Sequence, residues 1–270
     1  MQWQRTVSPE QNFLTIPEWE EQGVTAVFST RIGGLSKPPY ASLNLAFHVG
    51  DNPGDVLGNR KRFLSGFGYS LEDCVAAEQV HGTQVRFINE ASKGLGMSTM
   101  ETALPGCDGM LTCDNTALMC FFADCVPLYF FEPNSGIIGL AHAGWRGTVH
   151  HIAREMLTSI KKAGGDPDTC LVAIGPCIGP CCYTVGENVV SLLKEEINDR
   201  SSLPTVLTEY GQGTYTLDLA AANRILLTQE GIRPENITTA YLCTSCHSED
   251  FFSYRREGIT GRMAAFIAKK

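Results

Sequence analysis

Apolar residues along this chain fall into two rhythms. Three short continuous runs, at 117–122, 128–131 and 137–141, follow one another closely, and their length and content predict strands buried on both faces. Residues 24–30, 75–79, 85–88, 171–174, 215–219, 238–243 and 263–267 add further strand candidates, with a short one after Asp108 in DGMLTC. The other rhythm is helical. Val56, Leu57, Phe63, Leu64 and Phe67 recur within 55–67 before Gly68, and Val149, Ile152, Ala153, Met156, Leu157 and Ile160 recur after Arg146 before Gly164 and Gly165. Glycine just past an amphipathic run is a common C-terminal cap. Two more helices are expected, one over about 187–198 and one over 220–230 ending at Gly231. Strands and helices interleave without a linker, repeat or charge block, so the expected class is mixed α/β in a single domain spanning 1–270. Residues 91–106, small and polar, predict a mobile loop.

The stretch 117–148 is where chemistry gathers. Asp124 and Cys125 interrupt its apolar runs and His142 and Arg146 end them, so reactive side chains fall at strand ends, where a rigid scaffold can aim them. Cys125 and His142 lie 17 residues apart, too far for one helix face but within reach on neighbouring strands. A thiolate and an imidazole together either bind a borderline-soft metal or act as nucleophile and base. His81, where another apolar run gives way to Gly82, is the candidate third member. Arg31 is delivered to Gly33 and Gly34 at a strand end, as either an anion clamp or a solvated turn arginine. Gly144 and Gly147 flank Arg146, where the amides opening the next helix would favour an anion. His150 and His151 fall in that helix's first turn, with a packing or solvent-facing role expected. Asp108 sits at a strand start, where an aspartate is often only a turn former.

Composition narrows the setting. The chain has 270 residues, 43% hydrophobic and 19% charged, enough for a large core. Its first residues lack an apolar leader and no run approaches the roughly 20 apolar residues a membrane span needs, so a cytoplasmic protein without a membrane partner is expected. Eleven cysteines without an export signal predict mostly reduced thiols. Cys177, Cys181 and Cys182 match no familiar zinc spacing and are expected to pack as small apolar groups. Cys243-Thr-Ser-Cys246-His247 spells the haem-attachment pattern, but that chemistry needs export; a zinc ribbon would need a second cysteine pair, and a redox dithiol stays open. A net charge of −8, with basic clusters no longer than 60–62 and 255–256, argues against a nucleic-acid partner. It leaves room for a small anion on one or two arginines.

QVHG at 79–82, CDG at 107–109, ADCVP at 123–127, HAGWRG at 142–147, IGPCIGPCCYTVG at 174–186 and SYRREG at 253–258 together resemble the laccase-domain family. Its members are labelled polyphenol oxidase or multicopper laccase, peptidoglycan editing factor, and purine nucleoside phosphorylase with adenosine deaminase activity. The resemblance implies an αβα sandwich with a mixed sheet, similar to the Cys/His catalytic domains of deamidating toxins. It also implies a zinc site, with copper as the alternative ion, on His81, Cys125 and His142. A multicopper cluster requires many histidines in HxH pairs, whereas this chain has six histidines and no HxH. A His2Cys site with an open position suits catalytic zinc. The resemblance therefore implies phosphorolysis of adenosine, inosine or methylthioadenosine to base and ribose 1-phosphate, with metal-dependent adenosine deamination. Arg146, Arg31 and Arg255 are the candidates for holding phosphate, and Asp108 and Asp124 for supplying a proton. The partners implied are purine nucleosides and phosphate, and a monomer is expected. Rival readings are an editing amidase using Cys125 and His142, a copper-dependent polyphenol oxidase, and a metal- or redox-sensing module.

Overall fold

In the computed structural model, which describes residues 1–7, 12–211 and 213–270, every residue of the strand Ala117–Phe122 is buried. Ala117, Met119 and Phe121 face one core while Leu118, Cys120 and Phe122 face another, which accounts for its unbroken apolar run. The described residues form two six-stranded sheets and a three-stranded one. The first runs Gln4–Val7, Asn12–Thr15, Val24–Ser29, Met263–Lys269, Ala117–Phe122 and Cys74–Ala76, and only its last pair is parallel. The second runs Ile237–Thr239, Leu171–Ile174, Val126–Glu132, Ile137–Ala143, Gly109–Thr112 and Val85–Phe87, parallel only at its two edges.

The sheets face each other across a core in which Phe28, Leu118 and Phe122 meet Tyr129, Phe131 and Leu140. Outside the first sheet lies the helix Pro53–Ser65, with Phe63 and Leu64 packed towards Met119 and Phe266. Outside the second lie Ile152–Lys162, Glu187–Glu196 and Leu219–Gln229. The mixed α/β sandwich is thus present with a doubled β layer. An unbroken apolar run says that both faces of a strand are covered; it does not say whether a helix or a second sheet covers them. No helix among the described residues is long and apolar enough to cross a membrane.

Three local expectations change. The helix expected after Arg146 is two helices, Trp145–Val149 and Ile152–Lys162, because His151 takes a left-handed φ of 64° and pairs its imidazole with Glu196. The strand expected over 238–243 stops at Thr239, leaving Cys243 in the loop that follows. Segment 91–106 is not free: buried Arg60 donates to the carbonyls of Gly96 at 2.7 Å, Met97 at 2.9 Å and Leu45 at 2.7 Å, between the rings of Phe47 and Phe121. Arg60→Ala would leave buried carbonyls unpaired and a cavity beside them. The expected loss is about 3–5 kcal/mol of unfolding free energy, measured by urea denaturation; a loss below about 1 kcal/mol would show that the clamp is dispensable.

Candidate active site

Between Ala117–Phe122 and Val126–Glu132 the chain crosses from one sheet to the other through Ala123, Asp124 and Cys125 alone. Sheets stack about 10 Å apart, so so short a crossing bends sharply, and Asp124 takes a φ of 85°, a conformation aspartate tolerates better than most residues. Its carboxylate locks the turn, accepting from the Thr244 hydroxyl at 2.7 Å and the Arg255 amide at 2.7 Å. Cys125 is thereby presented, half-buried, at the start of the interior strand Val126–Glu132.

His142 lies on the adjoining strand Ile137–Ala143, in register with Pro127. It is buried, with Nδ1 2.8 Å from Asp108 Oδ1. The same carboxylate accepts the amides of Val80 at 3.1 Å, His81 at 3.0 Å and Gly82 at 2.8 Å. One buried aspartate therefore fixes the His142 ring and the loop that carries His81, itself at a φ of 61°. The two imidazole rings stand 4.7 Å apart and near perpendicular. His81 Nε2 is 3.9 Å from Cys125 Sγ, and the donor atoms of His81, Cys125 and His142 all lie within 4.8 Å of one another. Space beside them is tight: a Cβ on Gly144 would stand 3.0 Å from the His81 ring and 3.1 Å from Cys125 Sγ. Two imidazoles and one thiolate converging on a solvent-reached point form a donor set that zinc accepts, with a fourth position left to the cavity.

Burial works against ionising Cys125, but the charge and hydrogen bonds of His142, helped by His81, outweigh it and bring the thiol down to about 6. Burial likewise opposes a charged His142, yet Cys125 and Asp108 raise it to about 9. Burial also disfavours the Asp108 carboxylate, and its hydrogen bonds from His142 and the 80–82 loop overcome this and hold it below the usual range. Both shifts favour a thiolate and an imidazolium at neutral pH when no metal is bound. Carbamidomethylation of Cys125, followed by peptide mass spectrometry against pH, is expected to rise with a midpoint near 6; a midpoint at an ordinary thiol value of about 8.5 would show that His142 does not support the charge.

The three donors open into a cavity of about 500 Å³, inside the roughly 300–1,000 Å³ range of small-molecule sites. Arg146, Arg255 and Arg262 line it together with Trp145, Tyr183 and Tyr254. In a chain of net charge −8, this wall carries three guanidinium groups and one carboxylate, Asp124. Arg146 is held over the face of Trp145, 4.4 Å from its centroid, and Arg255 over Tyr183 at 4.8 Å with a further bond to the Thr184 carbonyl.

Two of the expected participants stand elsewhere. Arg31 does not reach the cavity: it pairs with Glu257 at 2.7 Å, bonds the carbonyls of Ala41 and Ser248 and stacks on Phe252, a turn-stapling role. Asp108 does not line the cavity either, because its oxygens are taken up by His142 and the 80–82 amides. The free amides next to Arg146 belong to a helix of only five residues, which supports little macrodipole. Conversely, the cavity includes residues not singled out from sequence. Gln79, Trp145, Tyr183 and Tyr254 were inside the quoted motifs, and Gln79 bridges the Phe121 backbone at 2.9 and 2.7 Å. Arg262 had the same signal as Arg31, a basic residue beside a strand end; His48 had none.

Residues 25–270 match the model of the multi-copper polyphenol oxidoreductase laccase family. The chain belongs to this family. Within the laccase family its relatives include the purine nucleoside phosphorylase YlmD of Geobacillus stearothermophilus, 45% identical over 251 residues that cover 92% of this chain and 91% of the relative. Another is the adenosine deaminase RL5 of an unknown prokaryotic organism, 34% identical over 254 residues, 92% and 95% of the two chains. The crystal structure of YlmD from G. stearothermophilus matches with a TM-score of 0.94 at 42% identity, covering 98% of both chains. That of Neisseria meningitidis protein NMB0706 matches at 0.80 and 29% identity, covering 100% of both. These family members therefore share the present fold from end to end.

Proposed function

We propose that this laccase-family chain is a purine nucleoside phosphorylase that also deaminates adenosine in the same cavity with the help of a bound metal ion. One observation carries the reading: the His81, Cys125 and His142 donors and the guanidinium groups of Arg146 and Arg255 open into a single chamber of nucleoside scale. Relatives named for both activities support it. Zinc is the ion the donor set suits best, and when bound it would supply a Lewis acid that lowers the pKa of a water ligand to about 7.

The chain's own residues do the rest. Asp108 acts as a positioning residue, holding His142 Nδ1–H so that Nε2 faces the cavity; this hydrogen bond selects the tautomer. Trp145 and Tyr254 offer aromatic faces to a purine. Arg146 and Arg255 hold phosphate against the ribose, where a planar, permanently charged donor fork suits a dianion and brings nucleophile and C1′ together. As the glycosidic bond breaks, the departing purine takes up negative charge and needs a proton or a donor. Asp108, turned away and ionised, has none to give, and Asp124 is engaged by Thr244 and the Arg255 amide. Tyr183 keeps its hydroxyl proton, pushed up to about 12 chiefly by burial, and takes that donor role.

A second reading has its own support. Cys125, His142 and Asp108 also form the thiolate, imidazole and carboxylate series of a nucleophilic amide hydrolase, as in the editing amidase alternative. Chelation separates the two. Stripping the metal is expected to abolish adenosine deamination and zinc to restore it. If adenosine stays intact with zinc-loaded protein while metal-free protein hydrolyses an amide substrate until Cys125 is alkylated, the amidase reading replaces this one.

A further inference from the structure

Four cysteines that the site above does not use come together in two loops that both bond to Asp124, through the Ile178 amide and the Thr244 hydroxyl. Cys181 and Cys182 sit in the loop after Leu171–Ile174, and Cys243 and Cys246 in the loop after Ile237–Thr239. Their four sulfurs all lie within 4.8 Å of one another, with Cys246 Sγ 3.4 Å from both Cys181 Sγ and Cys182 Sγ. We propose that this cluster is a second, closed metal site, a tetrathiolate that holds one zinc ion in a structural role.

The geometry has the right scale. A tetrahedral ion with zinc–sulfur bonds of about 2.3 Å spaces its sulfurs about 3.8 Å apart, within the range spanned here. Two segments more than 60 residues apart in sequence supply one pair each, so the second cysteine pair that a zinc ribbon requires is present in space, although no ribbon spacing exists in the chain. The expectation that Cys181 and Cys182 pack as small apolar groups fails, since Cys181 is exposed and Cys182 half-buried; it holds for Cys177, which is buried.

The backbone is shaped around the sulfurs. The Gly179 amide donates to Cys243 Sγ at 3.2 Å, a bond that favours a thiolate, and the His247 amide closes the 243–246 turn onto the Cys243 carbonyl at 3.1 Å. Cys177 and Cys243 form a parallel bridge that aligns the two loops. A Cβ on Gly179 would stand 3.3 Å from both Cys181 Sγ and Cys243 Cβ, which leaves little space for a larger residue. Exposure of Cys181 and Cys246 gives the ion a path in. Binding replaces thiol protons, which pass to solvent, by metal–sulfur bonds and needs no oxidant.

With four protein donors there is no open position for substrate. The ion's effect is instead to tie two loops that reach the cavity. The first carries Ile178 and Tyr183 on the cavity wall, and the second carries Thr244, whose hydroxyl holds Asp124.

Cobalt substitution and metal counting test the site. Cys125→Ser removes the thiolate of the other centre, so in that variant any cobalt–thiolate spectrum must come from the four-cysteine cluster. The expected result is the strong visible ligand-field and sulfur-to-cobalt charge-transfer absorption of a tetrathiolate at one cobalt per chain. In the same variant, chelator is expected to expose four additional thiols to a maleimide reagent, mapped to Cys181, Cys182, Cys243 and Cys246. Cys181→Ser/Cys246→Ser on the wild-type background should lose one zinc per chain and unfold at lower temperature. The proposal is overturned if the Cys125→Ser protein loaded with cobalt shows no thiolate absorption, or if these four thiols react equally with and without chelator. Because both of those readings use Cys125→Ser alone, they hold even if the double serine variant does not fold.

Discussion

Cys125→Ala is expected to reduce both phosphorolysis and deamination of adenosine on the order of a thousandfold or more, with loss of one bound metal ion per chain. Loss of a metal centre's charge stabilisation is a matter of several kcal/mol, and each 1.4 kcal/mol or so is a factor of ten in rate. The substitution removes the only sulfur among the three donors at this centre, and with it the negative charge that raises His142. Folding should be nearly untouched, because Cys125 is only half-buried, at a strand end outside the regular ladder. A milder loss, about 10–100-fold, is expected for Asp108→Asn, which keeps the shape of the side chain but weakens its grip on His142 and the 80–82 loop. Steady-state rates with metal analysis on the same samples check both. Wild-type metal content in Cys125→Ala would remove the sulfur from the proposed donor set.

Arg146→Ala should split the two reactions. Phosphorolysis needs an anion held beside the ribose, and loss of one such donor typically costs about 10²–10³ in rate; deamination needs no phosphate and should stay within about threefold of wild type. Arg146 is suited to this role because an aromatic face, that of Trp145, supports its guanidinium, whereas Arg31 is committed to Glu257 and two carbonyls. Rates of free-base release and of inosine formation, measured at several phosphate concentrations, decide it. Equal depression of the two would mean that Arg146 shapes the cavity rather than holding phosphate, and would move the anion site to Arg255 or Arg262.

How far the sequence reveals this site depends on what each residue contacts. His81, Cys125 and His142 were legible because each stands where a strand-like run breaks, and sheet topology then brings them together. The doubled β layer was not, since Ala117–Phe122 shows the same apolar run whether a helix or a sheet covers its second face. Arg31 and Arg262 carry the same local signal, yet only Arg262 lines the cavity; the difference lies in tertiary partners. Asp108 was legible as a strand-start aspartate, while its grip on two histidine-bearing segments depends on the pairing of Gly109–Thr112 with Ile137–Ala143. The cysteine cluster was invisible for a similar reason. Its two pairs come from loops whose proximity is set by the parallel pairing of Leu171–Ile174 with Ile237–Thr239, which no spacing rule encodes.

The most direct measurement is the product distribution from adenosine with purified, zinc-loaded wild-type protein, with and without phosphate, separated by chromatography. Inosine is expected under both conditions, adenine and ribose 1-phosphate only when phosphate is present, and none of the three with Cys125→Ala. Adenosine that remains intact under both conditions with folded, metal-loaded wild type would contradict the assignment of this cavity to purine nucleosides.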